Sequence, residues 1–124
     1  MLKVENLVVN YGYINALRGI SFEVKENEII TLIGSNGAGK TTTLTSVSNL
    51  LKKESGKVTF KGADITNVAP HKIVKMGMCH VPEGRKIFPA LSVKENLMAG
   101  TFGNPALKKG KIEELLEEVY GLFP

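Results

Sequence analysis

LIGSNGAGKTTTL (residues 32–44) ends an apolar run with glycines at 34, 37 and 39, a lysine at 40 and three threonines behind it. The order Gly34-Ser35-Asn36-Gly37-Ala38-Gly39-Lys40-Thr41 fits G-x-x-x-x-G-K-[ST], the phosphate-binding loop. A triphosphate needs many hydrogen-bond donors at close range. Backbone amides supply them only where side chains leave the approach open and the chain can visit positive φ. A helix starting at Lys40 would aim its first amides and its positive dipole end at the same anion. Lys40 then brings a point charge to the outer phosphates, and the Thr41 hydroxyl is positioned to ligate Mg²⁺. The context required of the motif is present, with an apolar strand candidate before it and a helical pattern after it.

Upstream, LKVENLVVNY (residues 2–11) alternates well enough for a strand, and ISFEV (residues 20–24) alternates again. With GYINALRG between them they predict a small antiparallel layer. NEIITLIG (residues 27–34) gives a continuous apolar run, Ile29 to Ile33, the pattern of a strand buried on both faces in a parallel sheet. Downstream, Leu44, Val47, Leu50 and Leu51 recur at helical spacing. Glycines 56 and 62 bracket a short strand over residues 57–61, and APHKIVKMG (residues 69–77) predicts a short helix with Pro70 in its first turn and Gly77 as its stop. MGMCHV (residues 76–81) is a second buried-strand candidate, with Cys79 as a small core residue and His80 packed or at an edge. Pro82, Gly84 and Pro89 then hold a loop. Ser92 and Glu95 have capping-box spacing at the start of a helix. The NP at 104–105 and KKG at 108–110 separate that helix from KIEELLEEVYGLF (residues 111–123), an amphipathic packing helix.

The totals bound the function classes. The 124 residues with 43% apolar content suffice for one domain with a core. A net charge of +4 is spread along the chain, which fits a solvated surface. The basic residues form no stripe and aromatics are 6%, so no nucleic-acid partner is expected. A single cysteine excludes an internal disulfide, and no Cys/His group has zinc spacing. No run approaches the length of a membrane span, and the charged N-terminus does not read as a signal peptide. The default is a cytoplasmic protein, soluble or peripherally attached.

VNYGYINALRGISFEVKENEIITLIGSNGAGKTTTL (residues 9–44) resembles the opening of an ABC transporter ATP-binding subunit, and ESGKVTFKGADIT (residues 54–66) resembles the segment that follows it there. HVPEGRKIFPALSVKENLMAG (residues 80–100) resembles the subunits of branched-chain amino-acid importers more specifically. The resemblance covers residues 1–124 and about the first half of such a subunit. It implies an α/β fold: a partial P-loop NTPase core with an antiparallel β layer over residues 1–91, and the start of a helical subdomain over 92–124. It implies ATP and Mg²⁺ as cofactors. Tyr11 matches the aromatic that stacks on adenine, with Tyr13 a nearby alternative. Residues 34–42 match the phosphate loop, Thr41 at the Mg²⁺ position and Thr42 near the α-phosphate. Glu83, where the wider family usually has glutamine, matches the residue that reaches the metal and the attacking water. Lys40 and Glu83 are the catalytic candidates, Thr41 and Glu83 the metal ligands. Arg85, Lys86 and Phe88 belong to the same loop and its approach to a permease, a contact assigned to residues 83–100. The other implied partner is a second ATP-binding subunit, on the inner face of the cell membrane.

The resemblance also marks gaps. Apolar residues running into Asp-Glu, an LSGGQ-type segment and a late histidine complete catalysis in this family. Within these residues the single aspartate, Asp64, follows KGA in a turn, and neither His71 nor His80 has the right context. The expectation is that the missing parts lie beyond Pro124, that GLFP (residues 121–124) looks cut rather than finished, and that the 124 residues alone bind nucleotide without turning it over. The neighbour of the phosphate-loop strand is missing too, which predicts self-association or a sheet completed by another chain. Two other readings stand beside this one: a non-enzymatic nucleotide-binding or interaction module with a vestigial loop, and a nucleic-acid binder.

Overall fold

The computed structural model describes residues 1–102, 104 and 107–124. Its first half is a four-stranded antiparallel sheet. β1 (Leu2–Tyr11) and β2 (Ile14–Val24) form a hairpin, and β3 (Ser55–Phe60) pairs with the other edge of β1. The two-residue β4 (Ala63–Asp64) closes the order β2-β1-β3-β4. Much of the stretch expected to join two short strands is itself strand. The chain turns at Gly12 with φ of 57° and begins pairing again at Ile14.

A bulge decides which face of β1 is buried. Val4, Leu7 and Val9 all point into the core, although strict alternation would send Val4 and Leu7 to opposite faces. Asn6, at φ 48°, absorbs the extra residue, and the pairing shifts register between Val4 and Leu7. Its amide, out of the ladder, donates to Ser21 Oγ at 2.8 Å. Gly56 of β3 crosses at the same point: a Cβ there would lie 2.7 Å from the Asn6 carbonyl oxygen.

α1 (Lys40–Val47) lays Thr43, Ser46 and Val47 against the sheet. The core is completed by Leu17, Val58, Phe60, Ile65 and Ile73, the last from α2 (Pro70–Lys75). Asn49, at φ 58° just past α1, ties the two halves of this core. Its Nδ2 donates to the Ile65 and Val68 carbonyls at 2.6 and 2.7 Å. Lys53 Nζ donates to Asn49 Oδ1 and, at 2.9 Å, to the Ser46 carbonyl. Burial holds that ammonium below the usual lysine pKa. α2 begins and stops where Pro70 and Gly77 require, and Asp64, at the end of β4, accepts from the Thr66 amide at 2.9 Å.

Two expectations fail. Residues 27–34 and 76–81 are not strands. Ile29 and Ile33 are 95% and 92% exposed, and Val81 is 87% exposed. Cys79 is exposed rather than buried, and His80 is half-buried. An apolar run becomes a strand only by exchanging backbone hydrogen bonds with a neighbour. Neither run finds one among the described residues. Beyond them come α3 (Val93–Ala99) and α4 (Lys109–Leu122), neither of which has a fully buried residue. The capping box forms as its spacing predicts, between Ser92 and Glu95. Of the break expected at 104–105, Pro105 lies outside the described residues.

Candidate nucleotide-binding site

The phosphate-loop residues lie between Ile33 and the first turn of α1, on the surface beside β2. Gly37 and Gly39 have φ of 85° and 91°. At Gly39 a side chain would be strained at this φ and would force Leu17 to shift. An added Cβ would sit 2.7 Å from Leu17 Cδ2 and 3.2 Å from the Ala16 carbonyl oxygen. β2 therefore sets the height at which the loop meets the helix. Leu17 is buried, and Ala16 and Leu17 lie within β2 itself.

Gly39 is also the N-cap of α1, and it has no side chain to satisfy the first amides. No acid stands in that first turn. The positive end of the helix is left for an external anion. Lys40 Nζ donates to the Gly34 and Ser35 carbonyls, both at 2.7 Å, which holds the ammonium over the loop. The Ala38 amide donates to the Ser35 carbonyl at 3.2 Å and closes the turn.

Candidates from three separate stretches of the sequence meet here. Thr41 Oγ1 donates to Glu83 Oε1 at 3.0 Å, across 42 residues of chain. Tyr11 Oη and Thr42 Oγ1 are 3.5 Å apart. Tyr11 is 49% exposed, whereas Tyr13 is fully exposed at the hairpin turn and makes no contact with the loop in the described hydrogen bonds. Arg85, Lys86 and Phe88 lie on the exposed loop after Glu83 and do not reach the phosphate loop in those bonds. Arg85 has φ of 47°.

The donor set fits Mg-nucleotide. A hydroxyl and a carboxylate 3.0 Å apart, both oxygen donors, suit Mg²⁺, which takes one or two protein ligands and completes its shell with water and phosphate. Among the described residues no group of three or more His, Cys, Asp or Glu could hold a metal by itself.

Comparison with known proteins gives a consistent picture. A family model described as ABC transporter matches residues 17–122. The chain is 37% identical, over all its 124 residues, to the high-affinity branched-chain amino acid transport ATP-binding protein BraG of Pseudomonas aeruginosa, 52% of which it covers. It is 37% identical over 122 residues, 95% of its length, to the lipopolysaccharide export system ATP-binding protein LptB of Haemophilus influenzae, of which it covers 51%. It is 30% identical over its whole length to a probable branched-chain amino acid transport ATP-binding protein, LivF of Archaeoglobus fulgidus, of which it covers 51%. The chain thus spans about half the length of these relatives. Its fold matches a dimeric bacterial ABC transporter cassette with a TM-score of 0.80 at 24% identity, covering 94% of this chain and 55% of the other. It also matches the ADP conformation of an ABC transporter's ATP-binding cassette, with a TM-score of 0.70 at 26% identity, covering 98% of this chain and 53% of that one.

Proposed function

We propose, from the premise that this chain belongs to the ABC transporter family, that residues 1–124 form the ATP-cradling part of a transport ATPase subunit. The observation that carries the reading is the 3.0 Å contact of Thr41 Oγ1 with Glu83 Oε1 beside an uncapped helix N-terminus. Two oxygen donors of the kind Mg²⁺ prefers stand where the loop would present the outer phosphates. In this reading Gly34, Ser35, Asn36, Gly37, Ala38 and Gly39 offer backbone amides, Lys40 neutralises outer-phosphate charge, and Thr42 lies toward the α-phosphate. Tyr11 supplies the adenine face. Thr41 and Glu83 would hold the metal, which when bound polarises the terminal phosphate.

These residues bind and orient; they do not complete a catalytic set. Phosphoryl transfer needs a positioned water and charge-stabilising groups together with the metal, and the sequence offers no second acid beside Glu83. We therefore read the 124 residues alone as a binder without turnover. The larger subunit would work as a dimer and drive branched-chain amino-acid uptake from the inner face of a membrane. The names of BraG and LivF support that cargo; LptB, equally similar to BraG in identity, belongs to an export system. A permease contact over residues 83–100 is supported by exposed apolar side chains there, Ile87 at 67%, Phe88 at 59% and Val93 at 72%. No helix among the described residues is long and apolar enough to cross a membrane.

The test is isothermal titration of the chain with Mg-ATP beside a Lys40→Ala variant. Saturable binding lost in the variant is the expected result. Absence of binding in a sample shown to be folded would favour the module with a vestigial loop. A phosphate-release assay completes it: turnover at the level of transport ATPases, abolished by Lys40→Ala, would contradict the reading of the chain as a binder only.

A further inference from the structure

The loop that delivers Glu83 has no burial to fix its path. Every residue from Val81 to Leu91 is exposed. Gly84 and Arg85 both take positive φ, at 83° and 47°, and the Ile87 amide folds back onto the Arg85 carbonyl at 2.7 Å. A non-glycine residue keeps such a conformation only when its surroundings over-determine it.

The described hydrogen bonds anchor this loop at two points. One is the Thr41–Glu83 contact. The other is a single side chain, Asn96, in α3. Asn96 Oδ1 accepts from the Phe88 amide at 2.8 Å. Its Nδ2 donates to the carbonyls of Phe88 and Leu91, both at 3.1 Å, and of Ser92 at 3.0 Å. One amide thus reads the backbone of the loop in both directions, as donor and as acceptor. It does so from a firm base. The α3 N-terminus is locked by the Ser92 hydroxyl accepting from the Glu95 amide and by the Glu95 carboxylate accepting from the Ser92 amide at 2.8 Å.

We infer that Asn96 is a positioning residue for the Thr41–Glu83 metal site. By fixing the chain at Phe88, Leu91 and Ser92 it restricts the exposed segment between Glu83 and Phe88, and so keeps the Glu83 carboxylate within reach of Thr41. Asn96 touches neither nucleotide nor metal in this account. It acts through the loop, and the inference rests on the reading that Thr41 and Glu83 hold Mg²⁺. Groups outside the first ligand shell that orient it contribute to metal affinity in this manner.

The substitution that isolates this role is Asn96→Asp. It keeps the size and the acceptor for the Phe88 amide, and an acid suits the first turns of a helix. A role in stabilising α3 would therefore tolerate it. The clamp would not, because both donors become acceptors facing three carbonyls. The experiment titrates the full chain with ATP in Mg²⁺ and with ATP in EDTA, for wild type, Asn96→Asp and Glu83→Ala. The metal-dependent gain in affinity should fall roughly tenfold in Asn96→Asp, approaching that of Glu83→Ala, with affinity in EDTA held within about twofold. A gain equal to wild type, or an equal loss in both conditions, overturns the inference.

A second arm needs no nucleotide. Trypsin cuts after Arg85 and Lys86, and the rate at these bonds should rise in Asn96→Asp while cleavage within the β1–β2 hairpin stays unchanged. An unchanged rate at Arg85 and Lys86 overturns the clamp directly. If the wild type binds no ATP, the proposed function fails and this arm still decides whether Asn96 holds the loop.

Discussion

The sheet with α1 and the apolar run at 29–33 are built from similar residues and end in opposite states. Val4, Leu7 and Val9 of β1 are buried to 1% exposure or less, while Ile29 and Ile33 stand above 90%. Hydrophobicity does not separate them. Partners do. β1 finds β2 across a two-residue turn, and β3 returns to its other edge after the phosphate-loop segment and α1, so its backbone groups are satisfied by neighbours within the chain. The run before the phosphate loop has the composition of a central parallel strand, and such strands need a partner from a distant part of a sequence. β1 has a partner on each edge within residues 1–124; the run before the phosphate loop finds none among the described residues.

Paired truncations put that contrast to its hardest test. Leu7→Ala removes a fully buried side chain beside the Asn6 bulge and should cost about 3 kcal/mol in urea unfolding. Ile29→Ala removes as much apolar surface from an exposed site and should stay within about 0.5 kcal/mol in dilute solution. A large cost for Ile29→Ala would show that the run is covered. If that cost grows with protein concentration, the cover is a second copy, which is the self-association the sequence predicts for an unpaired strand. Light scattering over the same concentrations gives the independent check.

A smaller effect asks what joins the well-packed region to its surroundings. Asn49 links α1 to the β4–α2 connection through two carbonyls. It also takes the left-handed conformation, at φ 58°. Asn49→Gly keeps that conformation without strain and removes the side-chain hydrogen bonds, leaving two part-buried carbonyls short of a donor. The loss should be about 2 kcal/mol. If Asn49→Gly costs nothing and Asn49→Ala does, the residue serves the backbone turn and not the network.

How much was legible in the sequence follows from the same contrast. The Gly34–Thr41 spacing located the loop because the phosphate-loop pattern fixes residue type at Gly34, Gly39, Lys40 and Thr41. The β1 strand, the Pro70 and Gly77 limits of α2 and the Ser92–Glu95 box were legible because short-range rules decide them. Residues 27–34 and 76–81 were misread. Their period carries the signature of burial, but periodicity states what a segment needs and not whether its partner is present. Cys79 went wrong with its segment. The start of β2 was missed because Gly12 and Gly19 looked like the limits of a connection, whereas pairing with β1 runs through that stretch from Ile14. Asn96 gave no signal at all. An asparagine in a helix has no spacing rule to betray it, and its role arises only once the loop folds back over α3.

The weakest contrast lies in the exposed region itself, between the loose loop and the capped start of α3. The Ser92 hydroxyl, and then its amide, hydrogen-bond the Glu95 carboxylate and hold it below its ordinary value of 4.5. A carboxylate depressed on folding stabilises the folded state fully above its unfolded pKa, and that contribution is lost as pH falls through the lower folded value. Lowering pH from 6 through 4.5 and below should therefore fray α3, seen as lower amide protection at Leu97 and Met98 relative to the intrinsic exchange rate at each pH, with the protection of the β1–β2 hairpin amides unchanged in the same range. A Glu95→Gln variant can still accept from the Ser92 amide and does not titrate, so its α3 should show no such pH step. A step that persists in Glu95→Gln would assign the fraying to other carboxylates. The capping box would then be a static feature of α3, and the firmness of the base that carries Asn96 would not depend on the charge of Glu95.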